Sequence, residues 1–291
     1  MGADFEELGR ASIVGSRSYS LKSRNVDQTF QIDVARPSAR AAEGKKLPVV
    51  YVLDGNGCFG LATQTARMLQ DGGLAPALIV GVGYRFDPSL PLRAQTFETR
   101  TRDYTPTEDA AWLETSRQEL AKQGVEIGGT TGGAPAFLRF LEDELKPFIA
   151  AHYPIDAADQ TLTGMSLGGL FTLYAFFAAP HNFARYAAFS PSLWWDKRSL
   201  FANEAALAAR TRDVTARLFL SVGDKEEDAD GIYRMVSNLQ SMKDTLAGRN
   251  YPGLKLSHTV FGEETHMSVY PAAFSRGLRA LFGEESAQRA A

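Results

Sequence analysis

Two kinds of hydrophobic spacing alternate along most of this chain. Val49-Val50-Tyr51-Val52-Leu53 and Ala77-Leu78-Ile79-Val80-Gly81-Val82 are apolar runs bounded by glycine or aspartate. Such runs suit strands buried on both faces. Residues 160–163, 186–189, 217–222 and 255–261 are further strand candidates, while residues 136–151, 167–179, 231–248 and 271–282 carry apolar positions at helical spacing. Strands that alternate with helices predict a mostly parallel central sheet with helices on both faces. Ahead of them, residues 12–20 and 29–35 alternate apolar and polar positions as half-buried strands do, and Pro37 ends the second. An N-terminal antiparallel hairpin is expected there.

The rhythm breaks between about residues 85 and 134, a stretch rich in Arg, Thr, Pro and Gly with only a short helical patch at 110–123. A long interruption of this kind in a compact fold reads as a lid-like excursion over one end of the sheet. Its Gly128-Gly129-Thr130-Thr131-Gly132-Gly133 segment is followed by Pro135 and by no Lys-Ser/Thr pair, so it reads as a flexible lead into a helix and not as a phosphate cradle. Repeats, heptads and low-complexity tracts are missing from the sequence, and residues 284–291 read as a tail. A single domain over residues 1–291 is expected.

Composition narrows the classes. A hydrophobic content of 44% across 291 residues furnishes a sizeable core. The 31 basic and 34 acidic residues leave a net charge of −3, with no general attraction to nucleic acid or an anionic membrane. The longest apolar stretch, residues 171–180, falls short of the roughly 20 residues that span a bilayer. Residues 1–10 include Asp4, Glu6 and Glu7 and lack the pattern of a secretory signal. With Cys58 as the single cysteine, a cytoplasmic setting is expected.

Candidate chemistry centres on Gly164-Met165-Ser166-Leu167-Gly168, between a predicted strand and a predicted helix. A serine on such an elbow needs small neighbours, because the bend brings backbone close to backbone. Ser166 is the expected nucleophile, and the Leu167 amide at the helix N-terminus is one expected oxyanion donor. A second donor is expected from Gly55 or Asn56, in the loop after the first buried strand. The partners should follow in the order acid, then histidine. Of the four histidines, only His266 lies in a loop beyond the last strand; His152, His181 and His258 read as structural or surface residues. The acid is expected in the loop after residue 222, with Glu226 favoured over Glu227 and Asp224, and Asp196 an outside candidate. This chemistry requires neither a metal nor an organic cofactor.

Several segments together resemble the Putative esterase family of α/β-hydrolases, which includes the enterochelin esterases. They are Tyr51-Val52-Leu53-Asp54-Gly55-Asn56, Arg102-Asp103-Tyr104-Thr105-Pro106, Phe137-Leu138-Arg139-Phe140-Leu141, residues 164–169, Phe189-Ser190-Pro191-Ser192-Leu193-Trp194-Trp195 and Glu264-Thr265-His266. The resemblance implies the α/β-hydrolase fold and ester hydrolysis. The family also holds S-formylglutathione hydrolases, feruloyl and other carbohydrate esterases, and mycolyl transferases. The segments 102–106 and 190–195 are most similar to the siderophore-esterase branch, which implies a small-molecule substrate such as a ferric catecholate siderophore. Arg85, Arg93, Arg100 and Arg102, with Trp194 and Trp195, would suit an anionic aromatic ligand. Arg102, Trp194 and Trp195 are the expected contacts. The alternatives are that Arg102 pairs with Asp103 to pin its loop and that one tryptophan is core. A thioesterase, a carbohydrate esterase and a catalytically silent binding module are the competing readings.

Overall fold

A computed structural model describes residues 12–37 and 46–289. Residues 1–10, read above for a missing secretory signal, lie outside the described part. Strands β1 (Ser16–Lys22) and β2 (Thr29–Ala35) form the expected antiparallel hairpin. Then follow β3 (Leu47–Leu53), α1 (Gly55–Asp71), β4 (Leu78–Tyr84), α2 (Leu92–Tyr104), α3 (Ala110–Ala121), α4 (Ala134–Phe140), α5 (Lys146–His152), β5 (Ile155–Met165) and α6 (Leu167–Ala178). The chain continues through β6 (Arg185–Phe189), the single turn α7 (Trp195–Arg198), α8 (Leu200–Arg210), β7 (Ala216–Gly223), α9 (Met235–Arg249), β8 (Leu254–Phe261) and α10 (Tyr270–Arg289). The strands make one sheet in the order β1-β2-β4-β3-β5-β6-β7-β8. Pairing is antiparallel from β1 through β4 and parallel from there on.

Side chains on a strand point alternately to opposite faces, and β3 divides on that rule. Val49, Tyr51 and Leu53 face α4, α5, α6, α8 and α9 in one core, while Val50 and Val52 face α1 and α10 in the other. Helices therefore cover both faces, as the continuous apolar runs require.

Several element boundaries differ from expectation for identifiable reasons. The predicted loop after β3 is the start of α1, whose glycines at 55, 57 and 60 disguise a helix that buries Phe59 and Ala62. The predicted helix over 136–151 is two helices joined by a π-turn at Leu141–Leu145, just ahead of Pro147, which has no N–H to continue the ladder. The presumed tail at 284–291 is helical as far as Arg289. The excursion holds α2 as well as α3, and Ala94, Leu113, Leu120 and Ile127 give it a small core of its own. Its glycine segment is fastened rather than flexible. The amides of Gly128, Gly132 and Gly133 donate to Glu98 Oε1, Thr105 Oγ1 and Arg102 O. Among the described residues no helix is long and apolar enough to cross a membrane.

Candidate active site

Met165 ends β5 and Leu167 begins α6, so Ser166 alone makes the bend, with φ 59° and ψ −121°. A non-glycine residue there stores roughly 1–3 kcal/mol of strain and needs its surroundings to hold it. The Ser166 amide donates to Phe189 O at 3.0 Å, and its carbonyl accepts from Leu170 at 2.9 Å and Ser192 at 3.1 Å. A Cβ on Gly164 would run into the Gly168 carbonyl, and one on Gly169 would sit 2.9 Å from Phe189 O. Gly168 is less confined: its nearest neighbour, Asp54 Oδ2, would be 3.4 Å away. The Ser166 and Ser192 hydroxyls are 3.4 Å apart.

His266 lies between β8 and α10, on a loop docked against the loop that follows β7. The Lys225 amide donates to Glu264 O at 3.1 Å, and Gly223 leaves no space for a Cβ because the same carbonyl fills it. This docking brings Glu226 Oε2 to 2.6 Å from His266 Nδ1. An ionised carboxylate only accepts, so Nδ1 carries the proton and Nε2 is left as the basic nitrogen. Glu226 Oε1 accepts from Ser190 Oγ at 2.6 Å and from the Gly223 amide at 2.7 Å. Burial alone would raise the Glu226 pKa. The hydrogen bonds from His266, Ser190 and Gly223 outweigh it and hold the carboxyl below its ordinary range.

The other acidic candidates have different partners. Glu227 accepts from the amide and hydroxyl of Ser237, Asp228 accepts from backbone amides farther along its own loop, and Asp224 is exposed. Asp196 lies in the α7 turn.

Two clefts flank Ser166 and His266. One, of about 460 Å³, is lined by Asp54, Asn56, Tyr84, Leu92, Arg100 and Met267 among others. The second, of about 500 Å³, is lined by Trp112, Ser192, Trp194, Lys225, Tyr233 and Met235. Asn56 reaches the first from the opening turn of α1, where N–H groups have no intrahelical acceptor. Its side chain mimics a strand neighbour, accepting from Tyr84 N at 2.7 Å and donating to Tyr84 O at 2.9 Å. Gly55 is packed against β4, where a Cβ would stand 2.7 Å from the Gly81 and Val82 backbone. Leu167 takes the first helical position of α6.

The expected substrate contacts divide. Trp194 lines the second cleft, edge-on to Tyr233 at 5.0 Å between ring centroids. Trp195 is fully buried, donates its indole N–H to Thr107 Oγ1 and packs edge-on to Trp112. Arg102 forms a two-bond pair with buried Asp103 at 2.6 and 2.9 Å and lines neither cleft. Of the four arginines expected to cluster, Arg100 alone lines a cleft, with Nε 2.6 Å from Asp54 Oδ1. Sequence reasoning assigned no role to Ser190, Trp112, Lys225 or Tyr233. All four do stand in segments that it singled out: 189–195, 110–123, the loop after residue 222, and 231–248. Among the described residues no group of three or more His, Cys, Asp or Glu is placed to hold a metal.

The sequence profile of the Putative esterase family matches residues 23–247. The chain belongs to that family. It is 32% identical over 277 residues to the ferri-bacillibactin esterase BesA of Bacillus subtilis, covering 92% of this chain and 90% of that protein. Identity to the siderophore triacetylfusarinine C esterase of Aspergillus fumigatus is 30% over 262 residues, 81% of this chain and 82% of the relative. The crystal structure of the BES protein from Bacillus cereus superposes with a TM-score of 0.80 at 29% identity, covering 96% of this chain and 99% of that one. The fold is the α/β-hydrolase fold, and the family's chemistry makes the protein a carboxylic ester hydrolase.

Proposed function

We propose that the protein hydrolyses the ester backbone of a ferric catecholate siderophore, with Ser166 as nucleophile, His266 as general base and Glu226 as the acid that orients it. The observation that carries this reading is the 2.6 Å contact between Glu226 and His266 Nδ1 beside the strained Ser166 elbow. In this mechanism Ser166 Oγ attacks the ester carbonyl and passes its proton to His266 Nε2. The oxyanion receives the amides of Leu167 and Asn56. His266 then protonates the departing alcohol, and water, activated by the same imidazole, frees the acyl group from Ser166.

Two relatives named for siderophore esters support the substrate class. The catecholate preference rests on the second cleft, where Trp112, Trp194 and Tyr233 offer aromatic faces and Lys225 a cation. A cytoplasmic setting fits the single cysteine and belongs to the same proposal.

Ser166→Ala should reduce hydrolysis of a ferric catecholate triester by about 10⁶-fold while leaving its binding intact. Retained turnover, or fluorophosphonate labelling of the protein at a residue other than Ser166, would sink the triad. S-formylglutathione and a feruloyl sugar, assayed beside the siderophore, separate the substrate proposal from the other activities in the family.

A further inference from the structure

The acidic run after β7 does three separate jobs. Glu226 meets His266, and Glu227 is bound by the amide and hydroxyl of Ser237 at the start of α9. Asp228 does something else. Its carboxylate turns back on its own loop and accepts the amides of Ile232 at 2.5 Å, Tyr233 at 3.0 Å and Arg234 at 2.5 Å. Gly231, with φ +70°, makes the return possible, and Arg234 follows in the left-handed region at φ 45°. From the other side Asn238 Nδ2 donates to Tyr233 O at 2.9 Å.

The result is an aromatic ring anchored through its backbone and about half open to solvent. Tyr233 is 46% exposed, yet its ring stands edge-on to Trp194, and both line the cleft beside Ser166. Trp112, from the excursion, stands 6.1 Å from Trp194 and completes the wall. A large ring at this exposure contributes little to a core. Its exposed part lines the cleft, where a second planar ring can meet it.

We propose that Tyr233 is a specificity-determining residue that selects an aromatic arm of the substrate, and that Asp228 is the positioning residue that holds it in place. The inference rests on the ester-hydrolase reading above. It adds that selectivity between aromatic and small acyl arms resides in one loop rather than in the triad.

The test compares the methyl esters of N-(2,3-dihydroxybenzoyl)serine and N-acetylserine, which share the scissile bond and leaving group and differ only in the arm. Tyr233→Ala should lower the ratio of kcat/KM for the two esters about five- to tenfold, through KM of the aromatic ester and not its kcat. Tyr233→Phe should restore the ratio. Asp228→Ala should reproduce Tyr233→Ala, and the double variant should add nothing further. An unchanged ratio in Tyr233→Ala overturns the inference, as does an equal loss on both esters. A native ratio in Asp228→Ala overturns the positioning role. Fluorophosphonate labelling keeps the two levels apart: an unlabelled native protein defeats the hydrolase reading itself. Labelling of Ser166 together with an unmoved ratio defeats only this one.

Discussion

At the scale of single residues, Glu226 carries the clearest consequence. Its carboxyl is held below the ordinary range despite burial, because three donors stabilise the ionised form. A depressed folded pKa adds stability above the normal carboxylate range, and that stability is lost as pH falls through the lowered value. The stability difference between the native protein and Glu226→Gln should therefore be full above about pH 5 and close in more acidic solution. Denaturant titrations at several pH values measure it. In the same variant kcat should fall by about 10⁴-fold, because an amide cannot hold the required tautomer. The elbow gives a second residue-scale test. Gly164→Ala drives a methyl group into the Gly168 carbonyl and should cost about 3 kcal/mol or the fold itself, whereas Gly168→Ala should cost about 1 kcal/mol or less. Comparable chemical-denaturation midpoints for the two variants would contradict this account of the bend.

At the scale of elements, the start of α1 matters most. Asn56 borrows the hydrogen-bonding pattern of a strand to tie a helix N-terminus to the end of β4. Asn56→Ala should lower kcat by about 10- to 100-fold, with KM within about twofold of native, because an untied amide meets the oxyanion less well. A change confined to KM would mean that this turn touches substrate and not the developing charge. This element was also the hardest to read. Glycines at 55, 57 and 60 point locally to a loop, and only packing against β3 and β4 makes the segment a helix. Similarly, α2 is full of threonines, and the Thr99 and Thr101 hydroxyls bond back to the carbonyls of Gln95 and Phe97 inside the helix. That compensation has no signature in hydrophobic spacing. The buried strands and the elbow, by contrast, have patterns set by local sterics, so the bend at Ser166 was legible. The choice of Glu226 among neighbouring carboxylates depends on how two loops dock, and the sequence could only rank it.

On the scale of the whole molecule, the excursion is a second small body bound to the sheet. Arg100 and Tyr104 tie it to Asp54 at the end of β3, while Arg102 neutralises its own neighbour Asp103, whose pKa is raised by burial even with the guanidinium beside it. Arg102→Ala strands that carboxyl in the interior and should cost about 2 kcal/mol, less than a fully buried pair because Arg102 is partly open to solvent. The melting temperature should drop by roughly 5 °C while KM for the siderophore stays near native. A raised KM at unchanged melting temperature would return Arg102 to the substrate. Two sequence segments far from the elbow, the excursion and the loop after β7, thus wall the second cleft with Trp112 and Tyr233.

The clefts share Ser166 and His266 and are otherwise lined by different residues. An ester bound across both and cut at Ser166 would leave its alcohol half in one chamber and its acyl half in the other. The first fragment can depart while the second is still covalently held. The two products would then inhibit at separate places and could occupy the protein together.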